Sequence, residues 1–162
     1  MRSLESYILE GSKFIVYLMV GMPGSGKSTW CKENHPDLPV ISRDIIRAEL
    51  GFTKDADEKA VLNRTQEKQV TTEEYFKIAK LCKKHKSFIV DDTNTGKYRK
   101  QMITFLKDYG ATVIGVSMDT PLETCIERRR GQISEQAMRE IYKKMIPLKK
   151  AEVDDMINVK GY

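Results

Sequence analysis

Cysteine is scarce. Cys31, Cys82 and Cys125 are all the chain has, an odd number at wide spacings with no CxxC. That argues against a disulfide scaffold or a thiolate zinc site and suits a reducing cytoplasm. Five prolines and ten glycines among 162 residues are too few for a collagen-like or linker-rich chain. Membrane-length apolar runs are missing. Phe14 to Met22 spans nine residues, too short to cross a bilayer. The residues before it, ending Glu10-Gly11-Ser12-Lys13, lack the apolar stretch of a signal peptide. A strong charge of one sign is absent too. Lys plus Arg is 28 and Asp plus Glu is 23, so the net charge of +5 permits a polyanionic partner without requiring one. There is no internal repeat and no low-complexity segment. The expectation is a soluble cytoplasmic protein with no membrane association.

What is present is globular: 40% hydrophobic and 31% charged residues. The length suits a single domain over residues 1–162, burying roughly two-thirds of its unfolded surface. Five short apolar runs stand out: Phe14–Val20, Leu38–Ile41, Ser87–Val90, Thr112–Met118 and Met156–Val159. Most are rich in Val and Ile, as strands buried on both faces are. Helical periodicity lies between them. Tyr75, Ile78, Ala79 and Cys82 form one stripe. Tyr98, Met102, Phe105, Leu106 and Tyr109 form another, closed by Gly110. Leu122, Cys125, Ile126 and Arg129 share a face after Thr120-Pro121, read as an N-cap with Pro at N1. Met138, Ile141, Tyr142 and Met145 share the last, capped by Ser134 and stopped by Pro147. Strands alternating with helices imply an α/β protein with a parallel sheet covered on both sides. Gly51 to Thr72 is polar, helical only in its later part, and the least readable segment.

Gly21-Met22-Pro23-Gly24-Ser25-Gly26-Lys27-Ser28 fits G-x-x-x-x-G-K-[ST], between an apolar strand and a helix from Lys27 to Asn34. Glycines let successive N–H groups turn inward onto phosphate oxygens, and the helix aims its positive end at the same anion. Lys27 can neutralise the β- and γ-phosphates, and the Ser28 hydroxyl can ligate Mg²⁺. Gly21, Pro23, Gly24, Ser25, Gly26, Lys27, Ser28 and Thr29 are therefore candidate ATP-binding residues. Trp30 is given only a packing role.

A phosphate acceptor needs its own groups. Asp44 follows the second strand, where ligands of open α/β sheets sit. A carboxylate there can orient an acceptor alcohol and take its proton. Arg47 lies one helical turn on and can hold an anionic part of the same acceptor. The third strand ends in Asp91-Asp92-Thr93-Asn94. One acid can hold Mg²⁺ through water and the other can meet the acceptor, because neighbours on a strand point to opposite faces. Arg128, Arg129 and Arg130 suit a lid that closes over the transferring group. Arg129 continues the apolar stripe and packs its stem, leaving Arg128 and Arg130 as the candidates. Lys77, Lys80, Lys84 and Lys86 read as a solubility face.

Together these blocks resemble the kinase module of bacteriophage-type polynucleotide 5′-kinases. The resemblance runs from about Phe14 to Met145. It rests on the phosphate loop through Trp30, on Arg43-Asp44-Ile45-Ile46-Arg47, on Asp92-Thr93-Asn94, and on Arg128–Gly131 with the helix after it. It implies a P-loop NTPase three-layer sandwich with strand order 2-3-1-4-5 and an Arg-bearing lid. It also implies transfer of the γ-phosphate of ATP to the 5′-hydroxyl of DNA or RNA. In that reading Lys27, Asp44 and Arg130 are catalytic, with Asp44 the general base. Arg128 and Arg130 contact the donor, Arg47 binds the phosphate 3′ of the acceptor nucleotide, and Asp92 and Asn94 help hold the acceptor. The stretch before Ser134 is shorter than the family's lid. The sequence stops at Tyr162, so the phosphatase module of some members is not expected in it. A small-molecule or nucleotide kinase is the alternative on the same motifs, and a non-kinase ATP-binding protein a further one.

Overall fold

A computed structural model describes residues 14–56, 62–94 and 96–162. The signal-peptide expectation for the first 13 residues, and part of the polar stretch after Gly51, lie outside them. The strands are β1 (Ile15–Val20), β2 (Val40–Ile41), β3 (Phe88–Val90), β4 (Thr112–Asp119) and β5 (Asp155–Lys160). All pair in parallel in the order β2-β3-β1-β4-β5, as the resemblance implied. β2 is shorter than its apolar run because Pro39 has no N–H for the ladder. Its carbonyl still accepts from Ile89 N at 2.9 Å, so the edge is continued on one side.

β1 shows why the sheet has two cores. Every residue of it is buried. Val16, Leu18 and Val20 point to one face, and Ile15, Tyr17 and Met19 to the other, as the two-residue period of a strand dictates. The first face is covered by α3 (Arg64–Lys83) through Val70, Ile78 and Cys82, and by α4 (Arg99–Asp108) through Met102, Ile103 and Leu106. The second is covered by α1 (Lys27–Asn34) through Trp30 and Cys31. Leu18 is completely buried, so Leu18→Ala is expected to cost about 2–5 kcal/mol in a denaturant melt. Gly115 in β4 has a packing reason: a Cβ there would meet Leu148 Cδ2 at 2.4 Å.

Two short helices complete the chain over the site, α5 (Leu122–Arg128) and α6 (Glu135–Lys143). They enclose a third apolar cluster of Met22, Cys125, Ile126 and Met138, so the phosphate loop is anchored by its own Met22. Ser134 caps α6, accepting from Ala137 N at 3.2 Å, and Gly110 follows α4 in the left-handed region at φ +86°. Some local expectations are corrected. Pro121 is the N-cap of α5 rather than its first residue. Thr120, expected to cap, instead donates its hydroxyl to Ser25 O at 2.7 Å and ties α5 to the loop. α6 ends before Pro147, and Tyr142 is exposed. All three cysteines are free and buried. Burial pushes the Cys31 thiol up to about 12 and the Cys82 thiol up to about 11, which keeps both protonated and unreactive. Among the described residues no helix is long and apolar enough to cross a membrane.

Candidate active site

The carboxyl ends of β1, β2 and β3 open onto one cleft of about 630 Å³. Its donor wall is the loop from Gly21 to Ser28. Gly24 and Gly26 have φ of +79° and +95°, the left-handed region where a side chain is strained. α1 starts directly on Gly26, whose lack of a side chain leaves the first turn without a side-chain cap. Backbone N–H groups of that turn are the natural partner of an anion. Lys27 Nζ donates to Gly21 O at 3.0 Å and Met22 O at 2.8 Å, curling over the loop. Burial pushes its ammonium below the ordinary value; Asp91 opposes this, and the Arg129 charge adds to it.

Beside the loop, Ser28 Oγ donates to Asp91 Oδ2 at 2.7 Å. Asp91 Oδ1 is buried without a hydrogen-bond partner. A hydroxyl next to a carboxylate with a spare oxygen fits Mg²⁺, which takes oxygen ligands and needs only one or two from the protein when phosphates supply others. Among the described residues no group of three or more His, Cys, Asp or Glu is placed to hold a metal ion, so a closed protein cage is not built there. Of the two neighbouring acids, Asp91 faces Ser28, and Asp92 points the other way.

The facing wall is α2 (Arg43–Glu49). Asp44 and Arg47 share its exposed side, with Arg47 Nη1 donating to Asp44 Oδ1 at 2.8 Å. Asp44 does not cap the helix. That task falls to Asp92, whose Oδ1 accepts from Arg43 N at 2.7 Å. Burial pushes the Asp92 carboxyl well above the usual carboxylate range. Its hydrogen bond with Glu74 and that residue's charge push the same way, against the weaker pull of the Arg43 N–H and guanidinium. No donor reaches Asp92 Oδ2. Asn94 sits at φ +47° and donates from Nδ2 to Met19 O at 2.8 Å, fastening the turn after β3 to β1.

Arg43 is the hub behind α2. It donates to Glu74 Oε2 and to Glu67 Oε2, both at 2.8 Å, and to Thr71 Oγ1 at 3.0 Å. Glu67 also accepts from Arg47 at 3.3 Å. Glu67, Thr71 and Glu74 escaped the sequence reading. Their signal was a polar stripe at helical spacing beside the apolar one of Val70, Ile78 and Cys82.

The arginine cluster divides differently from the expectation. Arg128 Nη1 donates to Gly24 O at 3.0 Å, and its Nη2 donates to Tyr162 O. Arg129, expected only to pack its stem, also lines the cleft and bonds Gln132 Oε1 at 2.9 Å. Arg130 is not among the cleft residues. It is 76% exposed and paired with Glu127. Helical rotation explains this: α5 ends at Arg128, and the chain turns away after Arg129. Tyr162, unforeseen, lines the cleft and donates its hydroxyl to Glu33 Oε2.

Known proteins share this fold. A family profile described as an AAA domain matches residues 16–157. A chain in the Pnkp1/Rnl/Hen1 complex is similar at TM-score 0.60 and 24% identity, over 70% of this chain and 38% of that one. The present chain therefore spans well under half of that relative's length. The APS kinase CysC of Mycobacterium tuberculosis, solved with AMPPNP and APS, is similar at TM-score 0.61 and 18% identity, covering 89% of this chain and 87% of that one. The shikimate kinase of Acinetobacter baumannii, solved with shikimate, is similar at TM-score 0.58 and 18% identity, covering 98% and 88%. At such identities the likeness is one of fold. With the profile matching most of its length, the chain belongs to the AAA domain family and carries the P-loop kinase fold.

Proposed function

We propose that this chain is a single-domain, ATP- and Mg²⁺-dependent kinase of the reducing cytoplasm, whose acceptor is the 5′-hydroxyl end of DNA or RNA. The observation that carries it is the pairing of Asp44 with Arg47, 2.8 Å apart, across the cleft from the phosphate loop. A carboxylate and a guanidinium on one helix turn suit an alcohol with an anionic neighbour on the same molecule. A water-placing switch has no use for the second group.

In the proposed reaction Asp44 accepts the proton of the acceptor hydroxyl. The acceptor oxygen bonds to the γ-phosphorus as the bond to the β,γ-bridging oxygen breaks, giving ADP and a phosphomonoester. Lys27 leaves its loop carbonyls for the phosphate oxygens, whose charge replaces a neutral partner by an anionic one. Arg128 and Arg129 stand where they can meet the donor from the lid side. Arg130 reaches it only if the connection to α6 swings inward. Mg²⁺, when bound, supplies positive charge at the β- and γ-phosphates, and Ser28 and Asp91 are the residues to hold it. Arg47 grips the acceptor's anionic group, while Asp92 and Asn94 keep α2 and the turn after β3 in place.

The Pnkp1/Rnl/Hen1 assembly is an RNA repair complex, which agrees with a nucleic-acid acceptor. A small-molecule acceptor is the second reading. It is favoured by the fuller mutual coverage with the APS and shikimate kinases. One experiment separates them: transfer of labelled γ-phosphate to 5′-hydroxyl oligonucleotides beside free nucleosides, nucleoside 3′-phosphates and small alcohols. Label on oligonucleotides and nucleoside 3′-phosphates, with little on bare nucleosides, supports the first reading. Label confined to a small alcohol overturns it.

A further inference from the structure

Arg47 can grip an anionic acceptor only through an available edge of its guanidinium, and two carboxylates already hold it. Nη1 donates to Asp44 Oδ1 at 2.8 Å. Nε and Nη2, the edge that matches two oxygens of one anion, face Glu67 at 3.3 Å each. Those contacts are long, since charge-assisted N–H···O bonds run to about 2.7–2.9 Å. The tight partner of Glu67 is Arg43, at 2.8 Å. Glu67 is thus anchored on one guanidinium and leans loosely on the other. Burial alone would raise its carboxyl, but the hydrogen bonds from Arg43 and Arg47 outweigh this and hold it below the ordinary value. Its charge therefore persists at neutral pH.

We propose that Glu67 is a specificity-determining residue, a built-in stand-in for the acceptor's anionic group that the acceptor must displace from Arg47. This rests on the acceptor reading above. A neutral acceptor cannot displace Glu67, so Arg47 stays clamped and one oxygen of Asp44 stays tied to it. An acceptor with a phosphate beside its reacting alcohol takes the Nε/Nη2 edge and draws the guanidinium toward itself. Asp44 is then turned to the hydroxyl only by a substrate that carries both groups. The residual charge of Glu67 sets a threshold, because it repels every anion that approaches Arg47. Glu67 touches no reacting atom and acts through Arg47.

Titration calorimetry at pH 7 and low salt tests this, with a nucleoside 3′-phosphate and the bare nucleoside as probes. Glu67→Gln keeps the shape and removes the competing charge. It is expected to tighten the nucleoside 3′-phosphate by about three- to tenfold, leaving the bare nucleoside unchanged. Glu67→Asp keeps a charge for Arg43 but withdraws it from Arg47, and is expected to tighten the same probe to a smaller degree. Unchanged or weaker binding of the 3′-phosphate by Glu67→Gln overturns the proposal, since a purely structural glutamate yields that result. If the melting curve of Glu67→Gln shows an unfolded protein, Glu67→Asp decides by the same criterion. Wild-type protein that binds the 3′-phosphate no better than the nucleoside overturns the acceptor reading itself. A wild-type preference that Glu67→Gln leaves untouched overturns only the role of Glu67.

Discussion

The two walls of the cleft are made of different material. The donor wall is mostly backbone: two left-handed glycines, a helix start and one lysine, all within Gly21–Ser28. The acceptor wall is side chain on side chain, with Asp44 and Arg47 from α2, Glu67 and Glu74 from α3, and Asp92 from the end of β3. A backbone cradle binds any polyphosphate of the right length, so it needs little beyond its glycines. A charge network chooses among acceptors, and each member depends on the placement of the others. The donor wall is therefore general equipment, and selectivity among acceptors would have to be built into the proposed acceptor wall.

Substitutions on the two walls should fail in different ways. Asp44→Asn preserves shape and removes the base, so kcat is expected to fall by roughly 10²–10⁴-fold with ATP affinity little changed. Lost ATP binding at normal kcat would move Asp44 to the donor wall. Lys27→Ala should cost about 10²–10³-fold in kcat, because the main loss is electrostatic at the phosphates, while the melting temperature shifts only by the loss of its two hydrogen bonds to loop carbonyls. A variant keeping more than about a tenth of wild-type kcat at saturating ATP would remove the loop from the reaction. Arg47→Ala should raise KM for a 5′-hydroxyl oligonucleotide about ten- to a hundredfold and erase the preference for a 3′-phosphate. Intrinsic ATP hydrolysis should barely respond, and a parallel fall in it would tie the two walls together.

The smallest effect concerns stability. Asp92 has a carboxyl raised above its unfolded value, so the folded state binds its proton more tightly than the unfolded chain does. Below the unfolded value both states are protonated and nothing is lost. As pH rises from there through the folded value, the unfolded chain releases the proton first, and stability falls. Asp92→Asn can still accept from Arg43 N and can donate to Glu74 without any ionisation. Its melting temperature should match or exceed wild type near pH 8, with the advantage shrinking toward pH 4. An Asn variant that is less stable at every pH would show that the carboxyl itself, not the hydrogen bonds it makes, is needed.

The same contrast explains how far the sequence could be read. Sheet, helices and phosphate loop were legible because each leaves a local trace: Val/Ile runs, apolar stripes, glycines at fixed offsets. Asp44 and Arg47 were legible as a pair because one helical turn joins them. Glu67 and Glu74 were not, because their meaning comes from α3 packing over Arg43, a contact 24 to 31 residues away in the chain. Among the three arginines the sequence favoured Arg128 and Arg130 for the lid and gave Arg129 only a packing stem. Only the end of α5 decides that Arg129 turns inward and Arg130 outward. Thr120 was misread because a hydroxyl before Pro resembles a cap, and the nearby carbonyl of Ser25 is a better partner.

The strand order has a consequence for how the chain is made. β1 is synthesised before every other strand, yet its partners are β3 and β4. β2, the next strand to emerge, pairs with β3 and not with β1. Among the described residues, β1 has no strand to pair with until Phe88 and the residues after it have appeared. At about 5–20 residues per second on the ribosome, a wholly apolar strand with two open edges waits for several seconds. Those edges are the natural target of a holding chaperone, and the interval in which a nascent chain is most exposed to mispairing with its neighbours on a polysome.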